Sequence, residues 1–69
     1  MKIEQIKGSE FKWISPITGG ETFGIVKKVY KYRFEYQTMI ESTNGNVYDL
    51  NECYVKVGDE YEKIHITEY

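Results

Sequence analysis

Tyr36-Gln37-Thr38-Met39-Ile40-Glu41 leads into Thr43-Asn44-Gly45-Asn46, and Val47-Tyr48-Asp49-Leu50 leads out. Two runs suited to a pleated surface thus close on an Asn-Gly pair. Asn-Gly accepts the positive φ angles of a type I′ turn, whose twist matches that of paired strands. The β-branched and aromatic flanks suit strands as well. This stretch reads as a β-hairpin, and it sets the expectation for the rest of the chain.

Toward the C-terminus, Asn51-Glu52-Cys53 reads as one helical turn, residues 51–53, between strands. Tyr54-Val55-Lys56-Val57 is then a strand turned at Gly58-Asp59. Tyr61 to Thr67 closes the chain, with Ile64 and Ile66 on one face and Lys63, His65 and Thr67 on the other. Toward the N-terminus, Phe11-Lys12-Trp13-Ile14 is a strand ended by Ser15-Pro16. A loop over residues 17–21 follows, and Thr22 to Val26 begins the next strand.

Ile25 to Thr43 carries no glycine or proline. Tyr30, Tyr32, Phe34 and Tyr36 alternate with Lys31, Arg33 and Glu35, a period of two. Two strands with a bend or short loop near Lys31 to Arg33 are preferred. The other reading is a helix with Ile25, Val29, Tyr32, Tyr36 and Ile40 on one face. Mediocre helix formers and the lack of a capping residue weigh against it.

Five or six short strands in 69 residues imply a single all-β domain, residues 1–69, formed as a small barrel of five or six strands or as a curled sheet, with the barrel preferred. Closure hides the strand edges that would otherwise pair with other chains. A chain of this size buries only about 60% of its unfolded surface, so its stability is marginal. The single cysteine, Cys53, allows no internal disulfide. The core must come from side-chain packing, alone or with self-association. Eleven aromatic residues, seven of them tyrosine, supply the apolar area for it.

Gly8, Phe11, Trp13, Pro16, Gly19-Gly20, Gly24, Val26 and Val29 form a further pattern: Gly-x-x-aromatic-x-Trp, a glycine-rich loop, then Gly-x-Val-x-x-Val. With the Asn-Gly hairpin and Tyr54-Val55-Lys56-Val57, it resembles the small SH3-like barrels of the Tudor and KOW type. It is similar in particular to the short bacterial Tudor-like domains described as hypervirulence-associated. The resemblance spans residues 8–57. It implies a five-stranded barrel that binds a partner through aromatic and loop residues, and it implies no reaction. The segment Met1 to Lys7 and the acidic C-terminal strand depart from that pattern. In size, acidity and tyrosine content the chain also resembles accessory proteins of phage and mobile elements, which implies action by binding a host protein.

The chemistry-bearing residues are few. His65 is the single histidine, so Ser9, Ser15 and Ser42 lack a partner set. A Cys53–His65 dyad would need a thiolate and a pocket that excludes water, and a domain this small has little room for one. Cys53 reads better as a small packing residue. Cys53 and His65 cannot close a zinc site. Asp59, Glu60 and Glu62 match no calcium loop and read as a solvated turn. Gly19-Gly20 is followed by Glu21, which would repel phosphate, so it too reads as a turn. No cofactor and no enzymatic activity are expected.

Two surfaces remain. Lys27, Lys28, Lys31 and Arg33 interleave with Tyr30, Tyr32 and Phe34, and nucleic-acid platforms combine such cations with aromatic faces on which bases stack. The plainer reading is a half-buried strand with a charged outer face. The second surface is an aromatic rim of Trp13, Phe23, Tyr32, Tyr48 and Tyr54. It would frame a cage for a cationic side chain, with Asp49 or Glu52 adding charge, or a patch for a protein partner. The same aromatics also serve as core. Net charge is −2, which opposes a strong electrostatic grip on nucleic acid. Residues 1–46 carry seven basic and five acidic side chains; residues 47–69 carry two and six.

No run approaches the ~20 apolar residues of a membrane span. Met1 to Gln5 holds no hydrophobic signal region. A cytoplasmic location is therefore expected. The expected function is a non-catalytic protein-interaction domain. The alternatives are a nucleic-acid-binding barrel using residues 27–34 and a self-assembling subunit, with a homodimer as its simplest form.

Overall fold

The computed structural model describes residues 2–31 and 38–66. In chain order these residues form a one-turn helix α1 (Ile3–Ile6), β1 (Glu10–Ile14), β2 (Glu21–Lys31), β3 (Thr38–Ser42), β4 (Val47–Asp49), a 3-10 turn (Leu50–Glu52), β5 (Cys53–Val57) and β6 (Glu60–Lys63). The strands make one antiparallel sheet in the order β4-β3-β2-β1-β5-β6. The hydrogen-bonded ladder is open, with β4 and β6 at its edges.

β2 organises the sheet. Its first half, Glu21 to Ile25, pairs with β1, and its second half, Val26 to Lys31, pairs with β3. The register slips between Val26 and Lys28, where the β2–β3 ladder is irregular. The irregularity explains the consecutive lysines. Gly24 and Val26 turn to the core, Lys27 and Lys28 both face water, and Val29 returns to the core. A strict period of two would bury one of those two charges.

The core comprises Ile6, Phe11, Val26, Val29, Ile40, Leu50, Cys53, Val55 and Ile64, with Ile3, Trp13, Tyr48 and Ile66 packed against it. Phe11 lies at its centre, paired in register with Gly24 on one side and Val55 on the other. Gly24 has no Cβ, and the Phe11 ring occupies that space.

Of the expected hairpin arms, Thr38–Ser42 and Val47–Asp49 do pair, as β3 and β4, while Tyr36 and Gln37 lie outside the described residues; the turn is not the two-residue type I′ form. The Gly45 N–H donates to the Ser42 carbonyl and the Ser42 N–H to the Asn46 carbonyl, so the loop is Thr43-Asn44-Gly45. Gly45 takes the positive φ, at 93°. The Thr43 N–H leaves the hairpin to reach the Ile25 carbonyl of β2. A two-residue turn would spend that donor inside the hairpin. The Asn44 side chain accepts from the Ser42 hydroxyl and the Asn46 N–H, closing the loop.

Further points concern the type and the bounds of elements. The helix through Ile25, Val29 and Ile40 is overturned, because Ile25 to Lys31 and Thr38 to Ser42 are strands. Of the bend expected near Lys31 to Arg33, Lys31 is the last residue of β2, and Tyr32 and Arg33 lie outside the described residues. The helical turn begins at Leu50, one residue early, and ends before Cys53. The Asp49 carboxylate opens it by accepting the Asn51 N–H at 2.9 Å. Ladder pairing of β6 ends at Lys63, although Ile64 stays buried and His65 exposed, as expected from alternation. Finally, residues 3–6 form a helical turn that buries Ile6. The Gln5 side chain accepts the Lys2 N–H at 2.7 Å and holds that turn.

Candidate functional site

Strand alternation sends Phe11, Trp13, Cys53 and Val55 inward and leaves the neighbouring positions on the opposite face. Cross-strand register assembles those neighbours into two rows across β2, β1, β5 and β6. Lys12 stands opposite both Phe23 and Tyr54, and Tyr54 opposite Lys63. The first row is therefore Phe23, Lys12, Tyr54, Lys63. Glu10 stands opposite Ile25, and Lys56 opposite Tyr61. The Lys56 ammonium lies 3.5 Å from the Glu10 carboxylate, which completes a second row of Ile25, Glu10, Lys56, Tyr61.

Sheet twist brings the far ends of these rows together. Phe23 and Tyr61, three strands apart in sheet order, meet edge to face with centroids 5.9 Å apart. Beside them the Lys12 ammonium lies 5.0 Å from the centre of the Tyr61 ring, 5.7 Å from that of Tyr54 and 3.3 Å from the Glu21 carboxylate. Aromatic faces and a carboxylate therefore hold one of the chain's own cations. Phe23 remains 59% exposed and Ile25 43%. Together with Glu10, Gly24 and Tyr61 they line a shallow groove of about 340 Å³. A second groove, of about 300 Å³, runs over Ile6 and Val55 between Gln5 of α1 and Glu62 of β6.

The five residues of the expected rim do not form one surface. Trp13 and Tyr48 stack at 5.1 Å with 35° between their planes, half-buried against the core, and Tyr48 also meets Phe11 edge to face. Rings this close leave no room for a cation between them. The Trp13 indole N–H donates to Glu52 at 3.1 Å, so Glu52 serves the indole. Phe23 and Tyr54 lie on the opposite face of the sheet, because Phe23 pairs with Lys12 while Trp13 pairs with Thr22. Tyr32 lies outside the described residues.

In the basic strand, Lys27 and Lys28 both lie against Glu41, at 3.5 and 3.7 Å. Lys28 also sits 5.3 Å above the Tyr30 ring. One carboxylate thus screens two of the four expected cations. Lys31 is exposed at the end of β2, and Arg33 lies outside the described residues.

Cys53 is fully buried, and its thiol donates toward the Asp49 carbonyl at 3.3 Å. Burial, with Glu52 and Asp49 adding negative charge nearby, pushes its pKa up to about 12. The thiol is protonated at neutral pH, the opposite of what a nucleophile requires. Asp59 and Glu60 are exposed at the β5–β6 turn, and among the described residues no three His, Cys, Asp or Glu side chains gather as a metal site. Gly19 and Gly20 close a turn, with the Gly19 N–H on the Ser15 carbonyl and the Ser15 N–H on the Gly20 carbonyl. Among the described residues no helix is long and apolar enough to cross a membrane.

Sequence reasoning missed Lys12, Ile25 and Tyr61. Their signal was present. A two-residue turn at Gly58-Asp59 places Val57 opposite Glu60 and hence Lys56 opposite Tyr61, as observed. What it lacked was the β1–β5 register, a contact between segments about 40 residues apart.

No family model, curated protein or solved structure matches this chain.

Proposed function

We propose that this chain is a non-catalytic domain that binds a protein partner on the face formed by β2, β1, β5 and β6. The observation that carries the reading is Phe23, a large apolar ring left 59% exposed and contiguous with Ile25 and Tyr61. A small domain short of core material gains by burying such a ring, so a ring held at the surface marks a contact. Aromatic anchors ringed by charged groups are the usual build of a protein contact. The neutral, buried Cys53 thiol agrees with a binding role.

The same reading takes the fold as a small SH3-like barrel of the Tudor or KOW type, acting in the cytoplasm. Its support is the meander of β1 to β4 with β5 returning beside β1, the long β2 shared between two ladders and the 3-10 turn before β5.

The test is affinity capture from the native host with wild-type protein, the Phe23→Thr/Ile25→Thr variant and an Ile17→Thr control. Threonine keeps strand propensity while removing the apolar surface. Ile17 is 92% exposed in the loop before β2, so the control loses apolar surface elsewhere. Proteins retained by wild type and control but lost from the double variant support the reading. An identical set on all three overturns it.

A further inference from the structure

We propose that the occupant of this face is a second copy of the same chain, packed sheet to sheet about a two-fold axis that lies in the interface along the strands. The inference rests on the docking role assigned to the face above, and it comes from the order of residues in the two rows. Turning a copy over about that axis exchanges β2 with β6 and β1 with β5 while keeping each row in place. Phe23 then meets Lys63 of the second copy, and Lys12 meets Tyr54. Ile25 meets Tyr61, and Glu10 meets Lys56.

Every contact in that arrangement is favourable in kind. Two place an ammonium over an aromatic ring, one is apolar, and one is an ion pair. No like charges face each other, because the carboxylate of the second row lies on the β1 side and the lysine on the β5 side. Isologous contacts need this self-complementarity, in which residue i meets j and j meets i. The strand directions of the two sheets stay nearly aligned, as in other face-to-face sheet packings. Eight side chains make a contact smaller than the ~800 Å² per partner of a standard interface, so the association is weak and follows concentration.

The test is sedimentation velocity over a dilution series, on wild type, Phe23→Thr, Glu10→Lys and Lys56→Glu, and on an equimolar mixture of the two charge variants. Wild type should dimerise with rising concentration, and Phe23→Thr should remain monomeric. Each charge variant alone should bind itself about tenfold more weakly, since like charges then meet across the axis. The mixture should recover association, because the two reversed charges then face each other in one half of the contact and the two native charges in the other. No effect confined within one chain produces that recovery. Wild type that stays monomeric at the highest soluble concentration overturns the proposal while leaving the docking role to the capture experiment. A dimer indifferent to Phe23→Thr, or a mixture no stronger than its components, overturns it as well.

Discussion

The Phe11 ring lies directly over Gly24: a Cβ at residue 24 would stand 3.0 Å from Phe11 Cε1 and 3.3 Å from Cζ. Phe11 is the largest fully buried side chain among the described residues. The ring therefore packs flush against the backbone of β2, at the point where that strand passes from the β1 ladder to the β3 ladder.

Gly24→Ala forces the ring to move within a filled core. The expected cost is about 1–3 kcal/mol of stability, read from the urea midpoint at unchanged slope. Phe11→Leu also destabilises by leaving a void. The double variant should cost less than the two singles combined, because the smaller side chain makes room for the new methyl. Strict additivity would sink the account.

Cys53 should make stability depend on alkaline pH. Its thiol pKa rises from 9.0 to about 12 on folding. The folded value exceeds the unfolded one, so above pH 9 the unfolded chain releases a proton that the native chain keeps. Stability is unaffected below that pH and falls as pH rises from 9 toward 12. Tyrosines titrate in the same range, so the measurement is the difference between wild type and Cys53→Ala. The variant should lose about 1–2 kcal/mol at pH 7 from the smaller side chain, and that gap should shrink as pH rises above 9. The native thiol should also resist alkylation at pH 8 until denaturant is added.

Glu52→Ala removes the acceptor of the Trp13 indole N–H. A half-buried donor left without a partner costs about 1 kcal/mol. Tryptophan emission should shift as water reaches the ring. Glu52→Gln keeps a carbonyl oxygen in reach and should restore both stability and emission maximum to near the wild-type values.

Gly45→Ala places a Cβ on a backbone held at φ 93°. The expected cost is about 1 kcal/mol, or about 4–8 °C in Tm for a domain of this size. Nothing lies within 4 Å of that Cβ, so the penalty is conformational. Gly45→Asn should cost less, because asparagine tolerates positive φ. Thermal melts of the two variants beside wild type check the order.

Much of the strand inventory was legible because local chemistry specifies it. Asn44-Gly45 marks a turn wherever it stands, Gly58-Asp59 sets the β5–β6 register, and Phe11 to Ile14 alternates between the two faces of the sheet. The helical turn at Ile3 to Ile6 was not legible. Four residues carry no measurable periodicity, and the segment takes its place from burying Ile6. The strand over Ile25 to Lys31 was ambiguous, because its register irregularity breaks the period-two pattern just where the two lysines stand.

By itself, then, the sequence determined an antiparallel β protein with a single thiol, few catalytic groups and turns at set places, since those follow from composition and from neighbours in the chain. The surfaces were decided by tertiary structure. Trp13 and Phe23 fall on opposite faces because β1 and β2 pair in one register, and a slip of one residue would put them on the same face. Lys27 and Lys28 meet Glu41 across β3, while Lys12 meets Tyr61 across two strands. Such contacts join residues far apart in sequence, and no local pattern encodes the register that brings them together.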